Sequence, residues 1–183
     1  LLEAAIKELE NVPQYQKKQE EYKLTYGKII SNMGSYYYQR KEYEEALKWH
    51  KKALEFRKIS LPNRVMDSYR TIMSDYFCMK QYEKGYETYR EAVKKTQPDA
   101  LFLVRAIGCE LCLLKEKKEE NLEKQILEEL PVQIERVVEL AVSNRRMNVG
   151  VLKDLQKKLE ELEAWTELQE LVKEYRTKIE EYL

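Results

Sequence analysis

Glycine and proline are scarce in this chain, at five and four residues of 183. Both cost most inside helices and are most needed at tight turns, so their scarcity argues against a strand-rich fold and for long helices joined by short links. Histidine occurs once, as His50, so any Ser-His-Asp or Cys-His arrangement must use it or not exist. The scattered glycines form neither G-x-G-x-x-G nor G-x-x-x-x-G-K, which leaves nucleotide phosphates without a cradle. No run approaches the roughly 18 apolar residues that a spanning helix needs, so no membrane contact is expected. Charge of one sign is lacking as well: Lys+Arg and Asp+Glu both number 33. A surface for nucleic acid would need a net basic face, and direct nucleic-acid contact is not expected of this segment. The three cysteines, Cys78, Cys109 and Cys112, are an odd set without disulfide-framework spacing, which points to a reducing compartment, the cytoplasm.

What is present is a repeat. Ile30, Met33, Gly34 and Tyr37 are followed by Tyr43, Ala46, His50 and Ala53, and the same order returns in Tyr69, Ile72, Met73 and Tyr76, then Tyr82, Gly85, Tyr89 and Ala92. Tyr43 recurs at Tyr82, 39 residues on. Each unit reads as two antiparallel helices, with apolar positions three and four residues apart on one face. Gly34, Ala46, Ala53, Gly85 and Ala92 allow close helix approach, and the tyrosines fill the space between. Extra residues fit in the link around Ser60-Leu61-Pro62-Asn63, where added length costs little.

A third unit is expected after Pro98, a residue suited to a first helical turn. Val104, Ile107, Gly108 and Leu111 repeat the first-helix pattern, and Leu122, Ile126, Leu127 and Leu130 give a weaker stripe from about Lys118. Pro131 is expected to close that helix. Ile134, Val137, Val138 and Ala141 then form another, and Asn148 caps the next. Leu152, Leu155, Leu159, Trp165, Leu168, Val172 and Tyr175 carry a last repeat. The expected layout is one domain over 1–183: a partial repeat at 1–22, repeats at about 26–59, 65–96 and 98–130, a helix at 131–144, and a last repeat at 148–183. The opening, Leu1-Leu2-Glu3-Ala4-Ala5-Ile6-Lys7, has no initiator Met and no signal-peptide order, and reads as a second helix whose partner is absent, hence as part of a longer protein.

These motifs resemble the tetratricopeptide repeat. The resemblance implies an all-α, right-handed superhelix of antiparallel helix pairs, whose first helices line a concave groove for extended peptides or partner helices. In such units the second, fifth, ninth and twelfth pattern residues face the groove. Carried over, the lining is Lys28, Ser31, Ser35 and Tyr38 from the first unit, Asp67, Arg70, Ser74 and Phe77 from the second, and Phe102, Arg105, Cys109 and Cys112 from the third. Hydroxyls, arginines and aromatics together suit a peptide backbone, a carboxylate and apolar side chains. The Lys and Asn of the carboxylate clamp found in chaperone-associated tetratricopeptide domains are not matched at Ser31 and Ser35. Asn32-Met33-Gly34-Ser35-Tyr36-Tyr37-Tyr38 with Tyr43-Glu44-Glu45-Ala46-Leu47 is similar to the Gram-positive peptide-pheromone receptors of the Rap, NprR and PlcR type. That similarity implies a regulatory domain sensing a short peptide. The alternative is a scaffold that docks a partner protein or forms a homodimer.

Catalytic features are weaker. Cys109-Glu110-Leu111-Cys112 has the C-x-x-C spacing of redox and zinc sites, but it lies inside an expected helix and has no second pair. His50 stands where the repeat places an aromatic, so packing is its expected role. Glu44-Glu45 and Glu119-Glu120 sit beside lysines on helices and read as solvated faces. Arg145-Arg146 reads as a surface turn. A binding protein without enzymatic activity, cofactor or metal is therefore the expectation.

Overall fold

The computed structural model describes residues 1–116, 119–143 and 149–183, the side chain of Tyr15 excepted. All regular structure among the described residues is helical. The chain divides into two compact units, Leu1–Thr96 and Gln97–Leu183.

The first unit holds α1 (Leu2–Glu10), α2 (Gln14–Lys17), α3 (Glu20–Gln39), α4 (Tyr43–Ser60), α5 (Val65–Cys78) and α6 (Tyr82–Lys95), with a 3-10 turn at Pro62–Arg64 before α5. α1 packs on α3, α3 on α4, α4 on α5 and α5 on α6. Short links between packed helices make these pairs antiparallel.

The two full units of the repeat share their turn chemistry atom for atom. Lys41 and Lys80, 39 residues apart, both adopt the left-handed region, at φ 63° and 56°. The amides that follow reach back over the helix end: Glu42 N–H donates to Tyr37 O at 3.0 Å and Gln81 N–H to Tyr76 O at 2.9 Å. This is the six-to-one bond that satisfies otherwise orphaned C-terminal carbonyls. Most helices use Gly there, because a side chain in that region costs about 1–2 kcal/mol; both units carry the same lysine.

Small residues do the packing work expected of them. Ala46, Ala53 and Ala92 are fully buried, and Ile30, Met33, Tyr69, Ile72 and Met73 fill the layers between helices. Ile6 of α1 joins Tyr26, Ile30, Met33 and Ala53, so the opening helix closes this core from one end.

The second unit holds α7 (Ala100–Glu116), α8 (Glu120–Ser143), α9 (Val149–Leu162) and α10 (Gln169–Glu180), with a 3-10 turn at Thr166–Leu168. α7 packs on α8 and α9, and α10 on α8 and α9. Two expectations change here. Asp99, not Pro98, opens α7: its Oδ1 accepts from Phe102 N–H at 2.8 Å, as an N-cap does. Nor does Pro131 end a helix. α8 runs through it, because Ile126 and Leu130 before it, and Ile134, Val137 and Ala141 after it, belong to one buried stripe. A missing N–H and a ring clash cost about 3 kcal/mol; the four larger side chains, Ile126, Leu130, Ile134 and Val137, each contributing roughly 1.5–3 kcal/mol when fully buried, outweigh that. The helix start near Lys118 and the cap at Asn148 lie outside the described residues, as do Arg145 and Arg146.

Candidate functional site

Spacings of three, four and three residues place Lys28, Ser31, Ser35 and Tyr38 on one side of α3, and Asp67, Arg70, Ser74 and Phe77 on one side of α5. All eight keep solvent access: Lys28 and Phe77 are exposed, Phe77 at 41%, and the other six are half-buried. The two helices meet at their C-terminal ends, where the Tyr38 hydroxyl lies 3.2 Å from Cys78 Sγ.

The rows are graded from ionic to aromatic. At the N-terminal end of α5, Arg70 Nη2 donates to Asp67 Oδ1 at 2.6 Å, and Arg64 Nη1 lies 3.8 Å from Asp67 Oδ2. In the middle, Ser35 Oγ donates to Ser31 O at 3.3 Å and Ser74 Oγ to Arg70 O at 3.0 Å. Bonding back to the preceding turn uses the Ser35 hydroxyl proton and leaves its oxygen able to accept. At the far end Tyr38 meets Tyr43, and Phe77 meets Tyr82, both edge to face with ring centroids 5.4 Å apart. From Lys28 to Tyr38 is ten helical residues, about 15 Å. That is the reach of about five extended residues.

Other residues of the expected lining stand differently. Phe102 of α7 is fully buried in the second unit, and Cys109 likewise, so neither offers a contact to a ligand; Arg105 and Cys112 are half-buried there. The carried-over register fails in α7 because nearly every side of that helix is covered, α9 packing on it as well as α8. Burial, then the neighbouring Glu110, pushes the Cys109 thiol up to about 12, opposite to the shift that a nucleophilic thiolate requires. Among the described residues no three His, Cys, Asp or Glu side chains gather as metal ligands, and no helix is long and apolar enough to cross a membrane.

Three buried polar arrangements escaped the sequence reading. His50, 2% exposed, lies against Gly34, and its Nδ1 is 2.6 Å from Oδ2 of the fully buried Asp75. Burial raises the Asp75 carboxyl's proton affinity, and the His50 hydrogen bond opposes that. Arg57, 7% exposed, donates to Ser68 Oγ at 2.9 Å and to Gly27 O at 3.4 Å. In the second unit, Gln133 Nε2 donates to Glu110 Oε1 at 2.7 Å, and burial pushes Glu110 up to about 8. The only hint in the sequence was His50 at an aromatic position; Asp75, Arg57 and Glu110 look like ordinary helix-surface charges until their partners are known.

Residues 28–63 match the model of the tetratricopeptide repeat, a unit that typically binds protein or peptide partners. The match covers most of α3, all of α4 and the turn after it. No curated protein and no solved structure matches the chain.

Proposed function

We propose that the face made by α3 and α5 holds an extended peptide, or an extended segment of a partner protein, and that this chain is the ligand-sensing part of a regulatory protein. The observation that supports it most is the pair of matched rows, Lys28, Ser31, Ser35, Tyr38 and Asp67, Arg70, Ser74, Phe77, all accessible and graded from charge to aromatic over one short peptide's length. The Ser35 oxygen in the middle suits a backbone amide, and the Tyr38 and Phe77 end suits an apolar side chain. The regulatory part leans on the similarity of the Asn32–Tyr38 and Tyr43–Leu47 stretches to peptide-pheromone receptors.

Selection of a random seven-residue phage library on the immobilised chain, followed by calorimetry with the synthesised winners, tests this reading. Winners are expected to share an apolar residue, and Phe77→Ala is expected to weaken them about tenfold or more, the loss typical of a central aromatic contact. Protection of the interhelix turns from limited proteolysis should accompany binding. Absence of heat, or equal binding by Phe77→Ala and Arg70→Glu, would sink the peptide reading. A tight dimer in light scattering that loses its affinity with the same two variants would move the face to self-association.

A further inference from the structure

At the corner where α3, α4, the Pro62–Arg64 turn and α5 meet, a cavity of about 110 Å³ opens beside the charged end of the rows. Lys28, Arg57, Arg64 and Asp67 line it, with Gly27 and Leu61. Lys28 and Asp67 belong to the cavity and to the rows alike. Gly27 lets Leu61 and Phe56 pack close against α3: a Cβ there would come to 3.0 Å of Leu61 Cδ1 and 3.5 Å of Phe56 Cε1.

Arg57 is the unusual member. A guanidinium stays charged under all ordinary conditions, so burying one calls for a carboxylate or an equivalent anion. Its donors reach only the neutral oxygens of Ser68 and Gly27, and its Nε, fully buried, has no partner. No carboxylate of the described residues pairs with it within 4.0 Å. Asp67, the one acid on the cavity, favours the Arg57 charge without an ion-pair contact, its oxygens lying closest to Arg70 and Arg64. Three cations and one carboxylate around so small a space leave it electropositive. A purely structural Arg57, tying α4 to α3 and α5, accounts for its two hydrogen bonds but not for Lys28 and Arg64 converging on the same cavity.

We infer that this corner is an oxyanion pocket that seats a carboxylate of the peptide lying on the α3 and α5 face, held by Arg57 at the base and by Lys28 and Arg64 at the rim. The inference rests on the peptide-binding reading of that face. A carboxylate fits better than a phosphate dianion because Asp67 on the wall repels the second charge, and because a planar fork matches a guanidinium. The peptide then lies with an acidic residue at the Lys28 end and its apolar residue about four positions away, at Phe77.

The test uses the whole chain, labelled with nitrogen-15 arginine, and follows the Arg57 Nε–H resonance during titration with sodium acetate, sodium chloride and inorganic phosphate at constant ionic strength. Acetate is expected to shift it saturably, chloride not at all, and phosphate more weakly than acetate. Lys28→Met and Arg64→Gln, both at exposed positions that leave the fold intact, should each weaken acetate roughly two- to fivefold, as loss of a partly exposed ionic partner does. No saturable shift, an equal response to chloride, or rim variants that bind acetate unchanged would overturn the pocket. Tighter phosphate than acetate would overturn the choice of carboxylate. An acetate response with no peptide heat would sink the peptide reading and spare the anion site; peptide binding with no acetate response would do the reverse.

Discussion

Replacing Gly34 by alanine asks whether one missing side chain holds a buried hydrogen-bonded pair in place. An added Cβ would lie 2.3 Å from His50 Cδ2 and 2.4 Å from Nε2. The ring cannot move aside freely, because Nδ1 is held 2.6 Å from Asp75 Oδ2 and both side chains are buried. The expected result is displacement of His50 and loss of the pair. Leaving the two buried groups unbonded costs about 1–3 kcal/mol, forcing the ring aside in a packed core adds about 2, and alanine's better helix propensity returns about 1. The net loss is therefore about 2–4 kcal/mol. For a unit of this size that lowers Tm by on the order of 10–20 °C. Urea unfolding followed by Trp49 fluorescence, in a Trp165→Phe background so that only the first unit reports, measures it directly. The control is Gly34→Ala in a chain that also carries His50→Ala and Asp75→Ala. With the ring gone and no lone carboxylate left, the same change should stabilise by about 1 kcal/mol. A loss below about 1 kcal/mol in the parent, or an equal loss in the control, would refute the account.

Two further outcomes follow from the second unit. Glu110 titrates at about 8 in the fold against an ordinary 4.5, so the folded state favours its protonated form. That contribution is fully present below about pH 4.5 and is lost as pH rises toward 8, so stability should fall by roughly 1 kcal/mol per pH unit across that window. Glu110→Gln should abolish this part of the slope, read from Trp165 fluorescence in a Trp49→Phe chain; a wild-type slope in the variant would refute it. Thiol titration should modify Cys78 and Cys112, both half-buried, well before the fully buried Cys109, which should react only with unfolding; early labelling of Cys109 in the native chain would contradict its burial.

The buried Glu110 also shows where reading a sequence stops. On its helix it resembles any charged residue, and its meaning depends on Gln133, 23 positions away on α8. Glu110 Oε2 and Gln133 Oε1 both lack donors in the fold. A proton on Glu110 removes a charge buried away from water, which is the main cause of its shift. Arg57 with Ser68, and His50 with Asp75, are the same kind of feature: pairings across helices that no local periodicity encodes. That Lys28, Ser31, Ser35 and Tyr38 share one side of α3, and Asp67, Arg70, Ser74 and Phe77 one side of α5, was legible because it depends only on position along one helix. Phe102 and Cys109 were misplaced because covering a helix on a further side is decided by a neighbour distant in sequence.

Composition and spacing alone determined the helices, the 39-residue period and the small residues at helix contacts, because propensity and periodicity are local properties of the chain. The continuation of α8 through Pro131, the hydrogen-bonded pair over Gly34, the raised proton affinity of Glu110 and the cationic corner around Arg57 were decided only by tertiary structure. Each turns on burial, and whether a charge is buried, and beside what, is fixed when separate helices are brought together.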